Sequence, residues 1–106
     1  MPQQITMRDL DGVVKRLNQI TRSPLTPWEH VNGQNVANIG NYHLDGAYGG
    51  WKLERMVNEH GGVTDVLYSG YESKRELYGM IHAYIRGIEA GYELATGDSL
   101  YNREDS

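Results

Sequence analysis

The feature that most constrains the fold is a pair of turn dipeptides, Asn32-Gly33 and Asp45-Gly46, in the middle of the chain. Each tolerates the positive φ angles of a type I′ hairpin turn. The segments around them predict a three-stranded antiparallel meander, with strands at about 28–31, 34–44 and 47–57. Residues 53–60 also fit a short helix, and this helix is the alternative to the later part of the third strand. Beyond them, residues 63–68 predict a fourth short strand or an ordered loop.

Two segments with helical spacing flank this meander. Thr6 with Asp9 forms a capping box, and the apolar residues that follow predict a first helix over about 7–22. Ser73 with Glu76 forms a second capping box, which predicts a helix to about residue 95. The predicted buried stripe of this helix is Leu77, Ile81, Tyr84, Ile85 and Ile88. The predicted fold class is therefore α+β, an αβββα chain with a three-stranded antiparallel meander and two helices packed on one face.

The size and composition of the chain limit its class. A chain of 106 residues has the size of one domain. We expect residues 1–97 to form a single α+β domain and residues 98–106 to be a polar, loosely ordered tail. The absence of cysteine excludes disulfides and thiolate chemistry, and the net charge of −4 argues against general attraction to nucleic acid. Without a signal peptide or a long apolar segment, we expect a cytoplasmic protein with no membrane partner.

The register of the second predicted hairpin assigns the two faces of the sheet. A turn at Asp45-Gly46 pairs residue 44 with 47 and so places Tyr42 over Gly49 and Trp51 over Gly40, with each ring covering a cross-strand glycine. On that face, which we assign to the core, we also expect Leu44, Ala47, Leu53 and Val57.

The opposite face is not cleanly polar, and we assign the binding surface to it. The candidate binding residues are Trp28, Ile39, Asn41, His43, Tyr48 and Lys52. Apolar and aromatic side chains on the open side of an antiparallel sheet are typical of a surface that meets a partner. The alternative is that the first strand is slipped by one residue, which returns Trp28 to the core.

A row of small residues on the second helix is a further feature. Gly79, Ala83, Gly87 and Gly91 lie four residues apart, and each glycine inside a helix costs about 1 kcal/mol relative to alanine. We interpret the row as tight packing against the sheet or the first helix. The alternative is a seam between the helices of two copies.

The sequence holds no motif that commits it to catalysis. The four histidines are far apart and have no metal-binding spacing, so we predict no metal site, no cofactor and no catalytic residue. His43 beside Asp45, and His60 beside Glu59, are the places where an acid-base group is conceivable. The helix, meander and helix order is similar to that of double-stranded RNA-binding domains, but Lys74-Arg75 is a short basic run for that family.

Short stretches spread over most of the chain carry a resemblance in sequence. They are Arg8-Asp9-Leu10, Lys15-Arg16-Leu17-Asn18, Gly40-Asn41-Tyr42-His43-Leu44, Ala47-Tyr48-Gly49-Gly50, Met56-Val57-Asn58-Glu59, Gly61-Gly62-Val63 and Arg75-Glu76-Leu77-Tyr78. In these stretches the chain resembles small accessory proteins of tailed bacteriophages that have no assigned activity. The resemblance implies a phage origin and the cytoplasm of a host cell, and it carries no catalytic residues.

We therefore expect a non-enzymatic phage accessory protein that binds a host protein or a small-molecule defence signal, and that forms a homo-oligomer. A nucleic-acid-binding accessory protein is the first alternative. A small enzyme that uses His43 or His60 with a carboxylate is the second, and a deep pocket around either histidine would favour it.

Overall fold

A computed structural model describes residues 4–103 and confirms an α+β fold of two helices and antiparallel strands. In chain order the elements are α1 (Met7–Thr21), β1 (Trp28–Val31), β2 (Gln34–Ala37), β3 (Tyr42–Ala47), β4 (Gly50–Met56), β5 (Val63–Asp65), α2 (Lys74–Thr96) and a short 3₁₀ helix (Leu100–Asn102). The third predicted strand is a strand and not a helix, and the fourth is present as β5.

Both helices begin and end where the sequence predicts. The Thr6 side chain accepts a hydrogen bond from the Asp9 N–H while the Asp9 carboxylate accepts from the Thr6 N–H, which is the reciprocal capping box. Ser73 caps the N-terminus of α2, and Gly97 ends it with a left-handed φ of 75°. Along α2, Leu77, Ile81 and Ile85 are buried, and Tyr84 and Ile88 pack partly buried beside them.

The strands form two sheets, and this differs from the single predicted meander. The turn at Asn32-Gly33 is present, with φ angles of 51° and 78°, but β1 and β2 form a separate two-stranded hairpin. The three-stranded antiparallel sheet has the order β3-β4-β5. The predicted strand 34–44 is therefore broken, because the chain leaves the ladder after residue 37 and bends through residues 38–41 before β3 begins.

The predicted turn at Asp45-Gly46 is wrong. The β3-β4 hairpin turns at Tyr48-Gly49, with φ angles of 53° and 75°, and Ala47 pairs with Gly50. A tyrosine at positive φ is costly, but the later turn makes six cross-strand pairs. Because β3 begins at Tyr42, a turn at Asp45-Gly46 would leave only three pairs, and the longer ladder outweighs the local preference of one dipeptide.

The paired positions change, whereas most face assignments stand. Leu44 pairs with Leu53 and not with residue 47. The cross-strand partner is shifted by an even number of residues, so each side chain stays on the predicted face of the sheet. Trp51 covers a cross-strand glycine, but that glycine is Gly46 and not Gly40. Two predicted core positions are wrong. Ala47 lies within β3, where alternation places its side chain on the open face, and Val57 lies beyond β4 and is half exposed.

The core lies between the two helices and one face of β3 and β4, since α1 packs on β3 and α2 packs on β4. Its fully buried members include Leu10, Leu17, Leu53, Leu77 and Ile81. Leu100 is only 4% exposed and belongs to the same core, so residues 98–102 are not a loose tail as predicted. Residues 104–106 of that tail lie outside the described range.

The small-residue row on α2 faces away from the core. A Cβ atom built at Gly79, Gly87 or Gly91 meets no described atom within 4 Å. Our interpretation of tight packing against the sheet or α1 is therefore wrong. Within residues 4–103, no helix has the length and apolar character needed to cross a membrane.

Candidate functional site

Four of the six predicted binding residues are joined on the open face of the β3-β4-β5 sheet. Asn41 precedes β3, His43 lies in β3, Lys52 lies in β4, and Tyr48 is in the turn between these strands. Hydrogen bonds, ion pairs and a cation-π contact link three of them to further side chains. We call this set the open-face network, and its members are Asn41, His43, Asp45, Lys52, Glu54 and Tyr71.

His43 is held at both ring nitrogens. Its Nδ1 lies 3.2 Å from the Asn41 Oδ1 atom, and its Nε2 lies 3.4 Å from the Glu54 Oε1 atom. Asn41 is completely buried and donates from Nδ2 to the Pro24 carbonyl at 2.8 Å, which orients its amide oxygen toward His43. Because β3 pairs His43 directly with Glu54, the contact follows from the strand register.

Lys52 lies at the centre of the open-face network. Its Nζ atom is 3.4 Å from the Glu54 Oε2 atom and 4.7 Å from the centre of the Tyr71 ring. Desolvation alone would lower the pKa of Lys52, but the hydrogen bond to Glu54 and the charge of nearby groups outweigh it, and the pKa of Lys52 is raised. The ammonium is thus fixed by a carboxylate on one side and an aromatic face on the other.

Tyr71 connects the network to the exposed turn. Its hydroxyl donates a hydrogen bond to the Asp45 Oδ2 atom, and this bond is the main cause of the raised pKa of Tyr71. Its ring also meets the Tyr48 ring edge to face, with 5.5 Å between centroids. Tyr48 is 95% exposed, so this ring contact places a large aromatic surface at the rim of an otherwise polar face.

Asp65 continues the row of carboxylates on this face. It pairs with Glu54 across β4 and β5, and its Oδ2 atom accepts from the Gly70 N–H at 3.1 Å. Its Oδ1 atom is buried, and residues 4–103 offer it no hydrogen-bond donor.

Trp28 and Ile39 are not part of this arrangement. Trp28 lies on the β1-β2 hairpin, where its ring covers Gly61 at a distance that leaves no space for a Cβ atom, and it remains 45% exposed. Trp28 is therefore neither on the open face of the β3-β4-β5 sheet nor in the core, the two positions that the sequence left open. Ile39 is exposed in the bend between β2 and β3.

Sequence reasoning missed Tyr71 altogether, named Asp45 only as a turn residue and a neighbour of His43, and left Glu54 out of the candidate residues. Tyr71 follows an irregular segment without hydrophobic periodicity, and it is held beside β4 by the backbone bridge between Trp51 and Glu72. Asp45 was assigned to a turn. Alternation along the strand puts Glu54 on the same face as Lys52, two residues away, and that was the available signal.

The two histidines considered for acid-base chemistry lie in different surroundings. Both nitrogens of His43 face oxygen atoms, so the ring as placed has no free nitrogen for a substrate. His43 lines a groove of about 280 Å³ that is open to solvent. The Nε2 atom of His60 lies 3.6 Å from the Oε1 atom of Glu59, and both side chains are exposed on the surface. In the described part of the chain, no three His, Cys, Asp or Glu side chains are placed to hold a metal ion.

The fold and the site define an α+β protein that carries a network of linked polar side chains on the sheet face opposite the helices. Comparison of the chain with protein-family models, curated proteins and solved structures found no match.

Proposed function

We propose that this chain is a small, non-enzymatic accessory protein that binds the surface of another protein through the open face of the β3-β4-β5 sheet. The observation that carries the proposal is the open-face network with Tyr48 at its rim. The side chains of His43, Lys52 and Glu54 are only 21%, 21% and 13% exposed and are already oriented by one another, so little side-chain freedom is lost when a partner covers the rest.

The shape of the surface favours a protein over a small molecule as the partner. The described cavities are open grooves of about 280 to 430 Å³, whereas small-molecule sites enclose most of their ligand. Aromatic residues are common anchors of protein interfaces, and Tyr48 has the highest exposed fraction among the exposed large hydrophobic residues of the described part of the chain. With the resemblance to phage accessory proteins, this proposal implies a host protein in the cytoplasm of a bacterial cell. Self-association through the same face remains a prediction.

The test compares Tyr48→Ala with Tyr68→Ala on immobilised protein in bacterial lysate, with retained proteins quantified by mass spectrometry. Tyr68 is a matched control because it is 88% exposed and has a φ of 52°, close to the 53° of Tyr48. We expect a protein that the wild type and Tyr68→Ala retain and that Tyr48→Ala loses by at least about tenfold, the effect of one hot-spot side chain. Equal retention by all three proteins would exclude the face.

A further inference from the structure

Within the part of the chain that the structure describes, the outer edge of β3 is unpaired over two residues. β3 is an edge strand of the β3-β4-β5 sheet. The two-residue turn makes Ala47 and Gly50 a hydrogen-bonded pair, so alternate residues of β3, at 43 and 45, bond to β4. The backbone groups of Tyr42, Leu44 and Gly46 therefore point away from β4.

The first of these outward positions is already occupied. Asn18 of α1 accepts from the Tyr42 N–H at 2.8 Å and donates to the Tyr42 carbonyl at 2.9 Å, as the backbone of a neighbouring strand would. This contact confirms the outward direction of the Tyr42 backbone. Among residues 4–103, no group bonds to the outward N–H and C=O of Leu44 and Gly46. Two residues of the edge are thus open to a strand.

A groove lies beside this edge on the helix side. It is the groove of about 280 Å³ that His43 also lines, and its apolar lining includes Val14, Leu25, Pro27 and Leu44. In an added strand, the residue opposite Leu44 points to the same side as the Leu44 side chain and so into this groove. An apolar residue fits that position.

The other face of the edge favours positive charge. Asp45 points to the open face, and the residue of an added strand opposite Asp45 points there as well. The chain carries a net charge of −4, which also attracts a basic segment.

A second copy of this chain fits the edge poorly. An antiparallel register that uses both open positions pairs Leu44 with Gly46 of the other copy, and it brings Asp45 directly opposite the Asp45 of that copy. Like charges at directly opposite positions are destabilising.

From this geometry we infer that the edge of β3 binds an extended peptide segment of a partner protein, with apolar residues opposite Leu44 and Gly46 and a Lys or Arg opposite Asp45. This inference rests on the proposed binding function and specifies the partner as one that adds a strand to the sheet.

The probe is a synthetic peptide with the central sequence Val-Lys-Val, titrated into the 15N-labelled full chain. We expect the backbone amides of Leu44 and Gly46 to shift and to become protected from hydrogen exchange, while the amide of Asp45, already in the ladder, changes little. Replacement of the central Lys by Glu should weaken binding about tenfold, because an attractive pair opposite Asp45 becomes a repulsive one.

Backbone methylation of the peptide provides the matched control. N-methyl groups on the two valines remove the N–H groups that face β3 and should abolish binding, whereas an N-methyl group on the lysine, whose N–H faces away, should preserve it. Equal effects of the two modifications, or no response at Leu44 and Gly46, would overturn the inference. Protection of both amides in the free protein together with a dimer in sedimentation would also overturn it, since a second copy would then cover the edge. None of these results depends on Tyr48, so the proposed function is tested separately.

Discussion

The pKa of His82 depends on the groups that surround this single residue. It lies on α2 with its ring 4.5 Å from that of Tyr78, beside a groove that Arg16 also lines. Its pKa is lowered from 6.5, first by burial and then by the charges of Arg16 and Arg86. The protonated form of His82 is therefore less favourable in the folded chain than in the unfolded one.

We expect Arg86→Gln to raise the pKa of His82, as measured by an NMR titration of its ring protons. Because the folded state disfavours the charged ring, the stabilisation is present above pH 6.5 and is lost as the pH falls through the lowered folded pKa. His82→Gln should accordingly show a smaller loss of unfolding free energy over that acidic range than the wild type. An unchanged His82 titration in Arg86→Gln would contradict the electrostatic part of this explanation.

At the scale of elements, the β3-β4 hairpin depends on a glycine under an aromatic ring. A Cβ atom built on Gly46 lies 2.6 Å from the Trp51 ring, and real Cβ atoms do not approach so closely. The close cross-strand contact of Trp51 thus requires glycine at this position.

We expect Gly46→Ala to lower the unfolding free energy by about 1 to 3 kcal/mol, since the indole must move out of a packed position. Gly87→Ala is the control, because its Cβ meets open space on an exposed helix, and it should raise the unfolding free energy by about 1 kcal/mol. Urea denaturation measures both. If Gly46→Ala is as stable as the wild type, Trp51 does not lie over Gly46.

The elements also show what was predictable from the sequence and what was not. Helix caps and the Asn32-Gly33 turn are local, so neighbouring residues determine them. The β3-β4 register is not local, because Asp45-Gly46 offers a good turn by itself and only the full ladder and the Trp51 contact favour Tyr48-Gly49. The alternation of faces was predictable, and it brought His43 and Lys52 to the open face. The position of Tyr71 on this face was not predictable, since Tyr71 lies in an irregular segment without a repeating pattern.

At the scale of the whole molecule, the C-terminal segment closes the core. After α2 ends at Gly97, the 3₁₀ helix returns Leu100 to the core, and the Tyr101 hydroxyl accepts a hydrogen bond from Arg16 of α1 at 2.8 Å. The domain therefore extends beyond the predicted boundary at residue 97.

We expect Leu100→Ala to lower the unfolding free energy by about 2 to 5 kcal/mol, the cost of a cavity in a well-packed core. Leu94→Ala provides the comparison, since Leu94 is 89% exposed and its loss should change stability by less than about 0.5 kcal/mol. Thermal or chemical denaturation distinguishes the two leucines. Equal stability of the two variants would mean that the segment after α2 is not part of the domain.

The bond between Asn18 and the Tyr42 backbone has a consequence for the protein at high concentration. Unpaired strand edges are templates on which identical chains stack, and this is the first step toward fibrils. The amide of Asn18 occupies the start of the β3 edge, and only a short stretch of that edge is left uncovered by residues 4–103. A single buried side chain thus shortens the strand edge on which an identical chain could stack.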